Sequence, residues 1–264
     1  LSMQTVVATV AAACVFEPVI RQASLPSVLL YNHASTQVPY TRALSWQREL
    51  LASRVQCVRE KSRPLPDALL LMQHEPVFTL GTASDLTNLL TSPPPFNVVR
   101  TERGGEVTYH GPGQLVLYPI LDLRSYQQDV HWYMRALEEV VIRTLGTFGL
   151  CGERVPGLTG VWVNGAKVSA LGVKISRWVT MHGIAINVCP DMAHWQHIVP
   201  CGIADKPVTS LAELLPAADI EIPTVQHIVL RHFCDVFGVK LSPVPHSLPA
   251  NDQYASRAVA GQLM

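Results

Sequence analysis

The sequence predicts a globular unit built of both helices and strands, and three stretches predict it. Asp129 to Phe148 puts Tyr133, Leu137, Val140, Val141, Leu145 and Phe148 on one helical stripe, with Arg135, Glu138, Glu139 and Arg143 opposite as a solvated face. Asn164-Gly165 stands between two extended runs, Gly160–Val163 and Lys167–Ile175, a strong signal for a two-residue hairpin. A glycine-punctuated stretch, Arg103 to Leu115, leads into the apolar run that ends at Leu123. At 264 residues, 48% apolar and 15% charged, the chain suffices for one large domain or two small ones with a substantial core.

Taken in order, residues 1–27 stand apart, alanine-rich and with Glu17 as their one acidic side chain. No basic residue precedes the apolar run Val6–Phe16, as a secretory signal would require, so a leader or transit-peptide remnant is expected and an unstructured tail is the alternative. Val28–Asn32 reads as a first strand. Pro39 opens an amphipathic helix with Tyr40, Ala43, Leu44, Gln47, Leu50 and Leu51 on one face. Arg59–Pro66 is a polar linker. Ala68–Met72 and Val77–Leu80 are short strands bracketing His74-Glu75-Pro76, which lacks the second histidine of a His-Glu-x-x-His zinc motif. Ser92–Pro95 is a loop. Beyond the hairpin, Val179–Val188 is another strand, interrupted at His182-Gly183. Asp191–Ile198 is a short helix, and Ser210-Leu211-Ala212-Glu213 is a capping box opening another. Val225, Ile228, Val229, His232, Phe233 and Val236 stripe a last helix, and a polar tail is expected over 241–264.

Composition excludes some classes. Twenty basic and twenty acidic residues cancel with no basic cluster, which argues against nucleic acid as a partner. No apolar run approaches the roughly 20 residues of a membrane-spanning helix. Six cysteines without a Cys-x-x-Cys pair favour free thiols over a disulfide framework. Lysine is scarce, with Lys61, Lys167, Lys174, Lys206 and Lys240 the whole set.

The residues with chemistry to offer gather in a few places. In the stretch from Arg103, Gly104 and Gly105 let a ligand approach the backbone closely. Val107-Thr108-Tyr109 favour a short extended segment. Gly111-Pro112-Gly113 turns the chain, leaving Arg103 and His110 on opposite lips of a cradle. A tight loop with a surface arginine and a structural histidine would read the same way. The strand Leu115–Leu123 follows, with Pro119 expected at an edge or bulge. Alternation in the second hairpin strand puts Lys167, Ser169, Leu171 and Val173 on one face and Val168, Ala170, Gly172 and Lys174 on the other, with Gly172 leaving room for a close neighbour. His182 reads as a hydrogen-bonded core histidine as readily as a chemical group. Cys201, between Pro200 and Gly202, sits in a tight turn suited to presenting a thiol. Cys189, His194, His197 and Cys201 fall within 13 residues, but their spacing matches no common zinc finger, and a thiol tied to zinc would lose its reactivity, so no metal is expected.

These stretches, in this order, resemble the octanoyltransferases (lipoyl(octanoyl) transferases, the B-type lipoate–protein ligases), and the wording resembles the plant, plastid-type members most. The resemblance implies one α+β domain of the biotin/lipoate protein ligase fold over 28–240, a mixed sheet flanked by helices. It implies Cys201 as an acyl-thioester nucleophile and Lys167 as its partner. It implies a substrate wall of Arg103, Gly104, Gly105, Glu106, Val107, Thr108, Tyr109, His110, Ala170, Leu171, Gly172, Gly183, Ile184 and Ala185. The implied reaction moves an octanoyl group from acyl carrier protein through Cys201 to a lysine of lipoyl domains, those of 2-oxoacid dehydrogenase E2 subunits and of the glycine cleavage H protein. No cofactor, ATP or metal is implied. A monomer is expected, in the plastid, with the mitochondrion as the alternative. An ATP-dependent lipoate or biotin ligase, a cysteine-dependent thioesterase and a non-catalytic lipoyl-domain binder stay open as other readings.

Overall fold

The structure is a computed structural model that describes residues 25–202 and 206–245. Most of the expected leader and the end of the expected tail therefore lie outside the described residues. The chain opens with β1 (Ser27–Val38), longer than the strand expected at 28–32, and α1 (Tyr40–Glu60). Next come β2 (Ala68–His74), β3 (Val77–Leu80), β4 (Asn97–Arg100), β5 (Thr108–His110) and β6 (Gln114–Ile120). The helix α2 (Val130–Thr147) is followed by β7 (Glu153–Val155), β8 (Leu158–Val163), β9 (Ala166–Ser176) and β10 (Val179–Asn187). Two helices, α3 (Leu211–Leu214) and α4 (Ile222–Phe237), precede β11 (Lys240–Pro243). Residues 192–197, expected as a short helix, form 3-10 turns.

Eight strands form one mixed sheet in the order β11-β1-β2-β6-β10-β9-β8-β7, and β4-β3-β5 form a second, small sheet. The larger sheet is flanked by helices, the α+β architecture expected. One cluster joins Tyr133, Leu137 and Val140 of α2 to Val225, Val229 and Phe233 of α4 and to the sheet. Others join Tyr40, Leu44 and Leu51 of α1 to Ala68, Ile120 and Met181. The local signals that start helices act as their chemistry requires. The Asp129 carboxylate accepts from the His131 and Trp132 N–H groups, and Ser210 Oγ accepts from Glu213 N–H, each satisfying amides that an unfinished first turn leaves bare. Asn164 and Gly165 have φ of 50° and 79°, the doubly left-handed turn that matches strand twist.

Four expectations change. Glu138, expected in solvent, is 1% exposed: its carboxylate accepts from Arg135, Arg154 and the Gly160 N–H, which together replace the lost water. In β9 the simple alternation breaks. The register slips by one residue between the Val161–Ser169 and Trp162–Lys167 pairs, so Val168 joins the core cluster while Lys167 turns from it. Pro119 lies in an interior strand, paired with Leu69 of β2. Regular β6–β10 pairing ends beside it at Leu117–Ile184, and the Thr180 hydroxyl takes over, donating to Pro119 O at 2.8 Å and accepting from Leu121 N–H at 2.9 Å. Finally, the sheet runs past residue 240, because β11 pairs in parallel with β1.

Candidate active site

The strand β10 runs unbroken against β9, and the interruption expected at His182-Gly183 appears on its β6 side instead. There a side chain on Gly183 would meet Leu117 O at 2.2 Å, so only glycine fits. Above β6, β9 and β10 lies a cavity of about 460 Å³. Of the expected wall, Arg103, Gly104, Gly105, Glu106, Thr108, His110, Ala170, Leu171, Gly172, Gly183, Ile184 and Ala185 line it, as does Lys167. Val107 and Tyr109 do not: as alternate residues of an extended segment they point the other way, into a cluster with Phe78, Leu80 and Trp195. The lining also includes Tyr40, Tyr118, Met134 and His182, which the sequence reading did not place there. The face of α1 that carries Tyr40 was the one signal that could have found it.

Arg103 holds the cradle in shape. Its guanidinium donates to Thr79 O at 2.8 Å, Thr79 Oγ1 at 2.9 Å, Glu106 O at 2.8 Å and Gly104 O at 3.1 Å. The Gly104 N–H donates to Val173 O of β9 at 3.0 Å. The close neighbour for which Gly172 leaves room is this cradle, since a Cβ there would sit 3.1 Å from both Arg103 Cδ and Gly104 O. Gly105 has φ of +88°, so any side chain at that position strains the backbone as well as filling space.

The histidines around the cavity are neutral. His74 donates from Nδ1 to Val38 O at 2.8 Å and accepts at Nε2 from the Tyr118 hydroxyl at 2.7 Å. Burial pushes its pKa down to about 4. His110 stacks on Tyr40 and donates from Nδ1 to Gln114 Oε1 at 2.7 Å, since an amide oxygen can only accept. Burial, then the neighbouring His74, hold it well below the ordinary histidine range. Gln114 Nε2 donates in turn to Asn187 Oδ1 at 2.9 Å, and Asn187 Nδ2 donates to Thr209 O at 2.9 Å. Of the two readings open for His182, the hydrogen-bonded core residue does not hold for its ring. Its backbone is left-handed at φ of 58°, its N–H donates to Gln47 Oε1, and neither ring nitrogen has a partner among the described residues. Burial lowers its pKa to about 3 against the opposing pull of Glu102.

Lys167 is 5% exposed on the cavity wall. Its backbone is clamped by the segment that follows the Pro200–Gly202 turn: Lys167 N–H donates to Pro207 O and Thr209 N–H donates to Lys167 O, both at 2.9 Å. That turn carries Cys201 in its backbone, closed by a Gly202 N–H to Val199 O bond at 3.1 Å. Gly202 packs near Glu106 of the cradle: a Cβ added there would lie 3.2 Å from Glu106 Cγ. The structure thus gathers the cradle and the lysine strand around one cavity, and sets the backbone of the cysteine turn against Glu106 of the cradle.

The cavity is a glycine cradle over a mixed sheet with a buried lysine on its wall, and residues 39–234 match the lipoyl protein ligase A/B catalytic domain. The fold agrees. A bipartite lipoate protein ligase from Thermoplasma acidophilum superposes with a TM-score of 0.60 at 17% identity, over 84% of this chain and 88% of its own. A lipoate-protein ligase A bound with ATP gives 0.61 at 16% identity, over 84% and 90%. Sequence likeness narrows the class. The octanoyltransferase of Gloeobacter violaceus is 53% identical over 206 residues, 78% of this chain and 89% of its own. That of Nostoc punctiforme is 53% identical over 215 residues, 81% and 90%. The chain belongs to the octanoyltransferase family, and it is an acyltransferase.

Proposed function

We propose that this enzyme transfers an octanoyl group from acyl carrier protein to a lysine of lipoyl domains, on E2 subunits and the glycine cleavage H protein, through a thioester on Cys201. The observation that carries this reading is Lys167. It is a buried lysine on the cavity wall, with no carboxylate in salt-bridge contact among the described residues, tied by its backbone to the segment after the Cys201 turn. A buried ammonium without a counter-ion is costly, and a thiolate is the counter-ion that this reaction supplies.

The steps balance. With Lys167 as ammonium and Cys201 as thiolate, the sulfur attacks the octanoyl carbonyl carbon, and the bond to the carrier's thiol breaks. The departing thiolate takes a proton from Lys167, leaving acyl-Cys201, a neutral lysine and the carrier thiol. The acceptor lysine's amine then attacks the same carbonyl, its proton passes to Lys167, and the carbon–sulfur bond breaks. The products are the amide and the original ion pair. This is covalent catalysis, one acyl transfer divided into two. The wall of Ala170, Leu171, Ile184 and Ala185 offers the octanoyl chain apolar surface.

The test is intact mass after incubation with octanoyl-carrier, then with a lipoyl domain. One octanoyl group should appear on wild type, be absent from Cys201→Ala, and pass to the domain. Free octanoate released despite acceptor would indicate a thioesterase, and strict dependence on ATP a ligase; either overturns the proposal. The acid-poor composition of residues 1–27 supports an organelle location, and the resemblance to plastid-type members favours the plastid, which imaging of a fluorescent fusion tests; exclusive mitochondrial signal would refute it.

A further inference from the structure

Lys167 has one partner for its charge among the described side chains, and that partner is a ring. Trp162 of β8 is its cross-strand neighbour, and the ammonium nitrogen lies 4.9 Å from the Trp162 ring centroid. Both residues are buried, Trp162 at 1% exposed and Lys167 at 5%. An aromatic face attracts a cation within about 6 Å, and the attraction grows when water is excluded.

The surroundings keep this pair in place. The one-residue register slip in β9 gives Lys167 its side of the strand. Gly160, at φ of +114°, leaves open the space along the lysine stem: a Cβ there would lie 3.5 Å from Lys167 Cε and 2.4 Å from Ser169 O. Its N–H is held by Glu138 Oε1 at 3.2 Å. The ionisable groups on the neighbouring elements are otherwise engaged. Glu138 of α2 is committed to Arg135 and Arg154, and Glu213 of α3 to the Thr209 hydroxyl.

We propose that Trp162 is a positioning residue for Lys167, a fixed aromatic seat that holds the lysine while it is charged and releases it when it is neutral. This rests on the Cys201–Lys167 reading above. A ring quadrupole attracts the ammonium and not the amine. Before acylation the seated cation stabilises the Cys201 thiolate. After the lysine has given its proton to the departing carrier thiol, the attraction ends and the free amine can reach the incoming acceptor. Taking that amine's proton returns it to the ring.

The test compares Trp162→Met with Trp162→Phe in the full chain, following the pH profile of Cys201 alkylation by peptide mapping and single-turnover acylation and transfer. Without an aromatic face the ammonium is less favoured. The alkylation midpoint in Trp162→Met should rise by about one pH unit and both steps should slow about tenfold, with KM for octanoyl-carrier little changed. Trp162→Phe, which keeps a π face, should recover most of both. If both variants alkylate with the wild-type profile and differ only in melting temperature, Trp162 is core packing and the proposal falls. A second measurement needs no destabilised variant. In wild type labelled with 5-fluorotryptophan, the Trp162 resonance, identified by its loss in Trp162→Phe, should titrate, and this titration should vanish in Lys167→Met. A Trp162 signal indifferent to Lys167 overturns the seat. Failure of wild type to be acylated on Cys201 instead overturns the underlying reading and leaves the fluorine result to decide the seat on its own.

Discussion

Acidification from pH 7 to pH 5 should cost the fold about 2 kcal/mol through His74 alone. In the unfolded chain a histidine takes up its proton near its ordinary pKa of about 6.5. In the folded chain the His74 ring is fully buried and its pKa is about 4, with burial the larger cause and the bond to Val38 O a partial offset. Between those values the unfolded state binds more protons, so stability is fully present above about pH 6.5 and is lost as pH falls toward about 4. The whole loss is roughly 3 kcal/mol, and the part reached by pH 5 is about 2 kcal/mol. The geometry shows why the folded state resists the proton. Nδ1 already donates to Val38 O, and Nε2 accepts from the Tyr118 hydroxyl, so a second ring proton would force that hydroxyl to turn its own proton elsewhere within a buried site. Urea unfolding of wild type and His74→Gln across pH 4.5–7 isolates this site together with the part of the His110 shift that His74 causes, which has the same sign. The wild-type stability should fall more steeply, by up to about 1.4 kcal/mol per pH unit, the slope of one extra proton. Parallel pH dependences in the two proteins would refute the assignment.

Removing the lysine amine tests the chemistry directly. Lys167→Ala should move Cys201 alkylation to higher pH and impair both acylation and transfer, whereas Lys167→Arg keeps charge and some acylation but fails at transfer to the amine; wild-type alkylation and transfer in Lys167→Ala would reduce Lys167 to a hairpin residue. A methyl group at Gly172 pushes on Arg103 Cδ and Gly104 O from 3.1 Å. Gly172→Ala should therefore weaken octanoyl-carrier binding several-fold with little change in melting temperature, and an unchanged KM would show that the cradle's position does not govern binding. Glu138→Ala strands the buried Gly160 N–H, while Arg135 is half exposed and Arg154 keeps Glu139, so a loss of about 1–3 kcal/mol in urea unfolding is expected. A loss below about 1 kcal/mol would mean the network is relieved by water.

What the sequence made legible was local. The stripe and cap of α2, the Asn164-Gly165 turn and the Ser210 box depend on residues a few positions apart, and each acts as its chemistry requires. The glycine cradle could be recognised as a string, and the structure explains its form through Arg103 and Gly104. What escaped depended on distant partners. Glu138 looks solvated until Arg154 and Gly160 fold onto it from another segment. The β9 faces follow a pairing slip against β8 that alternation within one strand cannot reveal. Val107 and Tyr109 share a motif with Thr108 and His110, but an extended backbone sends alternate residues to opposite sides. His182 joins the cavity wall through a left-handed backbone that a β-strand reading would not assign to a histidine.

The clamp that the 207–209 segment places on the Lys167 backbone has a consequence for reach. The lysine strand and the cysteine turn are separate elements, yet only five residues lie between Cys201 and Pro207, whose carbonyl holds the lysine. Even fully stretched, such a link spans about 20 Å, so thiol and amine are leashed to one another by the covalent chain itself. In the proposed reaction that covalent length sets the upper limit on how far the thiol can stand from the amine. Residues added to it would dilute the pair while leaving every strand of the larger sheet in register.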